Sequence, residues 1–234
     1  MKMTTEEAFV KTLQMHGIRH AFGIIGSAMM PISDIFPKAG IMFWDCAHEG
    51  SAGMMADGYT RATGEMSMMI AQNGPGITNF VTAVKTAYWN HTPLLLVTPQ
   101  AANKTIGQGG FQEVEQMKLF EDMVAYQEEV RDPSRVAEVL NRVIMQAHRA
   151  SAPAQINMQV DFVKARFTEE GLPHSSIVHS HGSSEIDLMA GIKGFAKNYL
   201  IGSMTSKLTR VKGKLATPKS TAEKITISKS GFSV

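Results

Sequence analysis

The chain has 234 residues, 44% of them hydrophobic and 19% charged, with a formal net charge of +2, the proportions of a soluble globular core. No apolar run approaches the roughly 20 residues that cross a bilayer, and the acidic N-terminal stretch lacks a secretory apolar region; a membrane protein is excluded and the cytoplasm expected. The single cysteine, Cys46, excludes an internal disulfide and fits a reducing compartment.

Thr4 and Glu7 are spaced as a capping box, so a helix is expected from there, with Ala8, Phe9 and Leu13 on one face and Gly17 at its end. HAFGIIG (20–26) reads as a strand and the loop after it, and residues 29–40 as a short helix. IMFWDCA (41–47) reads as a buried strand, followed by a glycine- and alanine-rich helix that Gly64 ends. A strand at 65–72, an NGPG turn at 73–76, a helix at 77–90 and a strand at 93–99 continue the alternation. Residues 100–116 form a loop long enough to be functional. A strand at 123–130 precedes Asp132–Pro133, an N-cap followed by proline at the first helical position. Val136, Leu140, Val143, Ile144 and Ala147 then mark an amphipathic helix, and 152–160 a sixth strand. The expectation is an α/β fold: a mostly parallel sheet of about six strands with helices on both faces.

Charge divides the chain. Residues 1–160 carry 12 basic and 15 acidic residues, and residues 161–234 carry 11 and 6. The second part is rich in Ser, Thr, Lys and Gly without a sustained period; it reads as a poorly structured basic tail, with a short helix near residues 186–200. The expected domain is residues 1–160.

Glu49 follows a strand and opens a helix, which places it where open α/β sheets bind ligands. A carboxyl group there can trade a proton with a ligand nitrogen, or simply complement the helix dipole. NGPGITN (73–79) offers free backbone N–H groups, or only a tight turn that brings helix and sheet together. Cys46 and His48 lack a second pair at zinc spacing, and Cys46 reads as a buried structural residue. His174, His179 and His181 crowd a polar stretch without the form of a dedicated metal site. The basic tail has no aromatics interleaved with its cations and matches no nucleic-acid reading module; no nucleic-acid partner is expected.

FGIIGSA (22–28), FWDCAHEGSAGMMADGYTRATG (43–64), residues 69–100 and TIGQGGFQEVEQ (105–116) together resemble the N-terminal pyrimidine-binding domain of thiamine-diphosphate enzymes, over roughly residues 1–160. Within that family the likeness is strongest to acyltransferases that act on sulfoacetaldehyde. The resemblance implies that Glu49 hydrogen-bonds the cofactor's aminopyrimidine ring and shares a proton with it, so activating the cofactor's carbon nucleophile. It implies that Ile25, Gly26, Gln72, Pro75 and Asn79 line thiamine diphosphate, with Gln72 standing where many relatives carry a small hydroxyl residue. Gln112 would face a small-molecule substrate. The family's diphosphate- and Mg2+-binding domain carries a Gly-Asp-Gly motif that this sequence does not contain, and after Val160 the family pattern is lost. The resemblance therefore implies a truncated enzyme with half of a cofactor site, no metal ligands and little turnover by itself. A homodimer, or a partner chain that supplies the diphosphate-binding domain, is expected, the small residues of 46–65 allowing close packing against a second copy. A subunit of a split enzyme, an acetolactate-synthase-like fragment and a non-catalytic binding or dimerising module are the other readings.

Overall fold

A computed structural model describes residues 3–163. Of the expected tail only residues 161–163 are described: they are helical, in α8, with Phe162 buried in the core. The rest of the tail, its short helix and its three histidines lie outside the described residues. The element order is α1 (Thr5–Met15), β1 (His20–Ile24), α2 (Met30–Ser33), β2 (Met42–Asp45), α3 (Glu49–Thr63), β3 (Met68–Ala71), α4 (Pro75–Thr78), α5 (Val81–Trp89), β4 (Leu95–Gln100), α6 (Gln116–Phe120), β5 (Tyr126–Val130), α7 (Val136–Ala150), β6 (Ala154–Gln159) and α8 (Val160–Val163).

Local chemistry sets the helix ends. Thr4 Oγ1 accepts from Glu7 N–H while the Glu7 carboxylate accepts from Thr4 N–H, so the capping box closes in both directions. Asp132 caps the 3-10 turn at Pro133–Arg135 by accepting from Ser134 N–H, and α7 follows directly. Gly64 ends α3 in the left-handed conformation.

The six strands form one sheet in the order β2-β1-β3-β4-β6-β5, and every pairing is parallel. Parallel strands alternate their side chains between two covered faces. One face packs Ala21, Met68, Ile70, Val97, Ile156 and Met158 against residues of α1, α2 and α7. The other packs Phe22, Met69, Ala71 and Leu96 against residues of α3, α4, α5 and α6. On this second face, toward the β5 edge, apolar residues give way to Thr98, Gln155 and Asn157, all buried. Hydrogen bonds tie these side chains to one another, to Gln116 and to Glu129, while the buried Gln155 Oε1 has no partner among the described residues.

Four expectations change. The strand at 41–47 is not buried: β2 is an edge strand with Met42 54% and Trp44 45% exposed, so its apolar run reflects an uncovered face. Cys46 is half-buried, because it sits just past that edge strand, and burial together with the Asp45 charge pushes its thiol pKa up. The helix expected at 77–90 begins at Pro75 and breaks between α4 and α5. The loop 100–116 ends in a short helix, α6, which no periodicity marked. The small residues of α3 also serve this chain itself. A Cβ on Gly53 would lie 2.4 Å from the Ala83 Cβ of α5, so glycine is what lets α3 and α5 approach.

Among the described residues no helix is long and apolar enough to cross a membrane.

Candidate functional site

In a parallel sheet all carboxyl ends lie on one edge, and ligands bind in the crevice where the strand order reverses. Here the chain runs outward from β1 to β2, then returns past β1 to β3. The crevice therefore opens beyond the carboxyl ends of β1 and β3. Ile25 and Gly26 follow β1, Glu49 follows β2, and Gln72 to Asn79 follow β3.

Glu49 is the first residue of α3, and His48 caps that helix: its Nδ1 accepts from Gly50 N–H at 3.0 Å. Sequence reasoning missed this cap, because histidine is not among the favoured N-cap residues. The half-buried Glu49 carboxylate reaches the turn after β3, where Asn79 Nδ2 donates to Oε2 at 2.8 Å. Among the described residues no donor meets Oε1. A Cβ on Gly76 would lie 3.2 Å from that oxygen, so a glycine keeps the space beside it open. Glu49 and Asn79, separated by 30 residues, thus form one unit: an oriented carboxylate with one oxygen held and one available.

Gly26, Gln72 and Gln112 form a second group. A Cβ on Gly26 would come within 2.3 Å of Gln72 Oε1. Ala28 N–H donates to Gln72 Oε1 at 3.0 Å, and Gln72 Nε2 donates to Gln112 Oε1 at 3.1 Å. The long loop is therefore docked on the turn after β3. Gly74 stands at φ 70° with the Gln112 carbonyl oxygen 2.2 Å from where its Cβ would be. Asn73 Nδ2 donates to the carbonyls of Phe111 and Gln112, and Gly74 N–H donates to Gln116 Oε1 at 3.0 Å. Gln116 is fully buried and also donates to the Pro99 carbonyl. The sequence gives no sign of this role, since a glutamine in a polar loop looks solvated. Within the loop the Glu113 carboxylate accepts from Gly107 and Gly110 N–H, and these two hydrogen bonds hold its pKa below the usual range.

Pro75 and Ile25 are exposed on this edge, Ile25 by 48%. A cleft of about 580 Å3 lies elsewhere, at the β5 edge, lined by Met117, Gln127, Glu129, Arg131 and Arg135 among others; none of the candidate residues lines it. Among the described residues no group of three or more His, Cys, Asp and Glu side chains is placed to hold a metal ion.

Residues 3–119 match the family model for the thiamine pyrophosphate enzyme, N-terminal TPP binding domain. The chain is 88% identical over 162 residues to the sulfoacetaldehyde acetyltransferase of Roseovarius nubinhibens, and 80% identical over 162 residues to a probable sulfoacetaldehyde acetyltransferase of Rhizobium meliloti. Each match covers 69% of this chain and 27% of the relative. The sulfoacetaldehyde acetyltransferase of Castellaniella defragrans is 42% identical over 197 residues, covering 84% of this chain and 33% of its own length, so that likeness runs past the described residues. The chain spans about a quarter of the length of the first two relatives. The half of the sequence that the model matches carries the oriented carboxylate and the turn beneath it, and the chain belongs to the thiamine pyrophosphate enzymes through their N-terminal TPP binding domain.

Proposed function

We propose that this chain is the pyrimidine-binding part of a sulfoacetaldehyde acetyltransferase, which converts sulfoacetaldehyde and phosphate to acetyl phosphate and sulfite. The observation that carries the reading is the Glu49 carboxylate, held by Asn79 through Oε2 and available through Oε1 beside Gly76. That arrangement fits the aminopyrimidine ring of thiamine diphosphate, which offers a nitrogen that shares a proton. The 88% identity to a relative of that name supports the substrate.

When bound, thiamine diphosphate supplies the carbon nucleophile that adds to the substrate's carbonyl. The chain's own residues do the rest. Glu49 holds or releases a proton at Oε1, and Asn79 fixes the carboxylate's orientation so that Oε1 is the oxygen presented. Pro75 and Asn79 line the cofactor's middle, and Ile25 and Gly26 present backbone near its thiazolium. Gln112 faces the substrate.

Residues 1–160 are the proposed domain, and residues 161–234 are set apart by their basic composition. The diphosphate-binding residues and their Mg2+ come, in this reading, from a further domain or a partner chain, and the working state is a dimer. The setting is taurine and sulfonate breakdown in the cytoplasm.

A hybrid tests the reading. Residues 1–160 replace the matching segment of the 88% identical relative, and sulfite and acetyl phosphate are measured with thiamine diphosphate, Mg2+, sulfoacetaldehyde and phosphate. Sulfite release comparable to the relative's is expected, and none from this chain by itself. A folded but inactive hybrid, or vigorous turnover by the chain without a partner, sinks the proposal.

A further inference from the structure

Gln72 spans three segments. Its Oε1 accepts from Ala28 N–H at 3.0 Å, and its Nε2 donates to Asn73 Oδ1 at 2.6 Å and to Gln112 Oε1 at 3.1 Å. A backbone N–H only donates, so Ala28 fixes which end of the amide is oxygen. Both Nε2 hydrogens are then committed, and Gln72 has no donor left for a cofactor. The polarity passes on. Gln112 turns its own Oε1 toward Gln72, which leaves its Nε2 as the free end, and among the described residues nothing accepts from it. Gln112 is held at φ 56°, uncommon for a residue other than glycine, by the Asn73 amide on its carbonyl and the Gln72 amide on its side chain. Strained backbone of this kind persists where the surroundings over-determine it.

We propose that Gln72 is a positioning residue: acting through Gln112, it sets the sign of the hydrogen-bonding group on the substrate side, presenting an amide donor pair to a sulfonate oxygen of a small anionic substrate. This rests on the reading above that Gln112 faces the substrate. It also moves Gln72 from the cofactor's neighbours to the frame behind the substrate.

The test is side-chain amide hydrogen exchange, by NMR, on the 15N-labelled full chain. In the wild type the Gln112 amide protons exchange as solvent-facing ones, and those of Gln72 about tenfold more slowly, the protection that one ordinary hydrogen bond confers. In Gln72→Glu the carboxylate still accepts from Ala28 but cannot donate. The Gln112 amide then rotates to donate to it, and its protons slow by about tenfold. Protected Gln112 protons in the wild type, or rates that Gln72→Glu leaves unchanged, overturn the positioning. If the variant does not fold, the wild-type ranking decides. Ethanesulfonate is the substrate probe: it shifts the Gln112 amide resonance in the wild type and not in Gln72→Glu. A wild-type resonance that it leaves in place overturns the substrate assignment, while the exchange rates judge the positioning separately.

Discussion

The turn after β3 concentrates the constraints that single residues carry. Gly74 combines a positive φ with a carbonyl oxygen 2.2 Å from its missing Cβ. Gly74→Ala is expected to cost about 1–3 kcal/mol, the range for enforced strain of this kind, and to release the 100–116 loop to limited proteolysis; full stability in urea denaturation would show that the loop is not docked there. Asn79→Ala removes one hydrogen bond from the Glu49 carboxylate. In the hybrid enzyme it should lower turnover by less than loss of the carboxylate itself does, with sulfite release as the readout. The placement of Glu49 at a strand end, and of Pro75 and Asn79 in a short glycine-rich turn, was legible in the sequence, while the roles proposed for them came from the family resemblance. Gln116 and the His48 cap were not legible. Their roles depend on partners, Gly74 and Pro99 for the first, that a linear reading cannot bring together.

At the scale of elements, α7 and the β5 strand beside it carry a cluster of shifted acids on the face of the sheet that α1, α2 and α7 cover. Thr4→Ala opens the capping box and should cost α1 about 1 kcal/mol in chemical denaturation. Arg142 on α7 donates to both Glu128 of β5 and Glu138 of α7. Hydrogen bonds from Arg135 and Arg142 lower the Glu138 pKa from 4.5 to about 2, and the bond from Arg142 lowers that of Glu128. A depressed carboxyl pKa means that the unfolded chain binds more protons in that window, so this stability is present above about pH 4.5 and is lost as pH falls toward 2. The melting temperature should drop through that range, and Arg142→Met should flatten the drop. His16 and His148 have pKa values pushed below 6.5 by burial, so a separate loss should begin as pH falls through about 6.5. The strand alternation was legible because buried parallel strands are short apolar runs. The exposure of β2 was not: an edge strand with an apolar outer surface has the same composition as a central one.

For the whole molecule, the exposed apolar residues are telling. Met42 and Trp44 on β2, Met54 and Met55 on α3, and Trp89, 74% exposed, on α5 are large apolar side chains that a second copy would cover. With the proposed dimer, sedimentation equilibrium should find two copies together, and Met54→Glu with Met55→Glu should shift the balance to monomer. A monomer at all concentrations, unaffected by those changes, would show that this surface serves something else. The family was legible in the sequence from several motifs in order, since a shared cofactor demands the same residues at the same strand ends.

The central claim is that Glu49 is the proton-holding group of a thiamine-diphosphate site, and its most direct measurement is turnover of the hybrid enzyme with Glu49→Gln. Glutamine keeps the size of the side chain and an oxygen for Asn79 but cannot exchange the proton. The rate of acetyl phosphate formation should fall by about 10²- to 10⁴-fold, the usual worth of a positioned acid–base group, with the melting temperature unchanged. A rate within twofold of the unsubstituted hybrid would contradict the account.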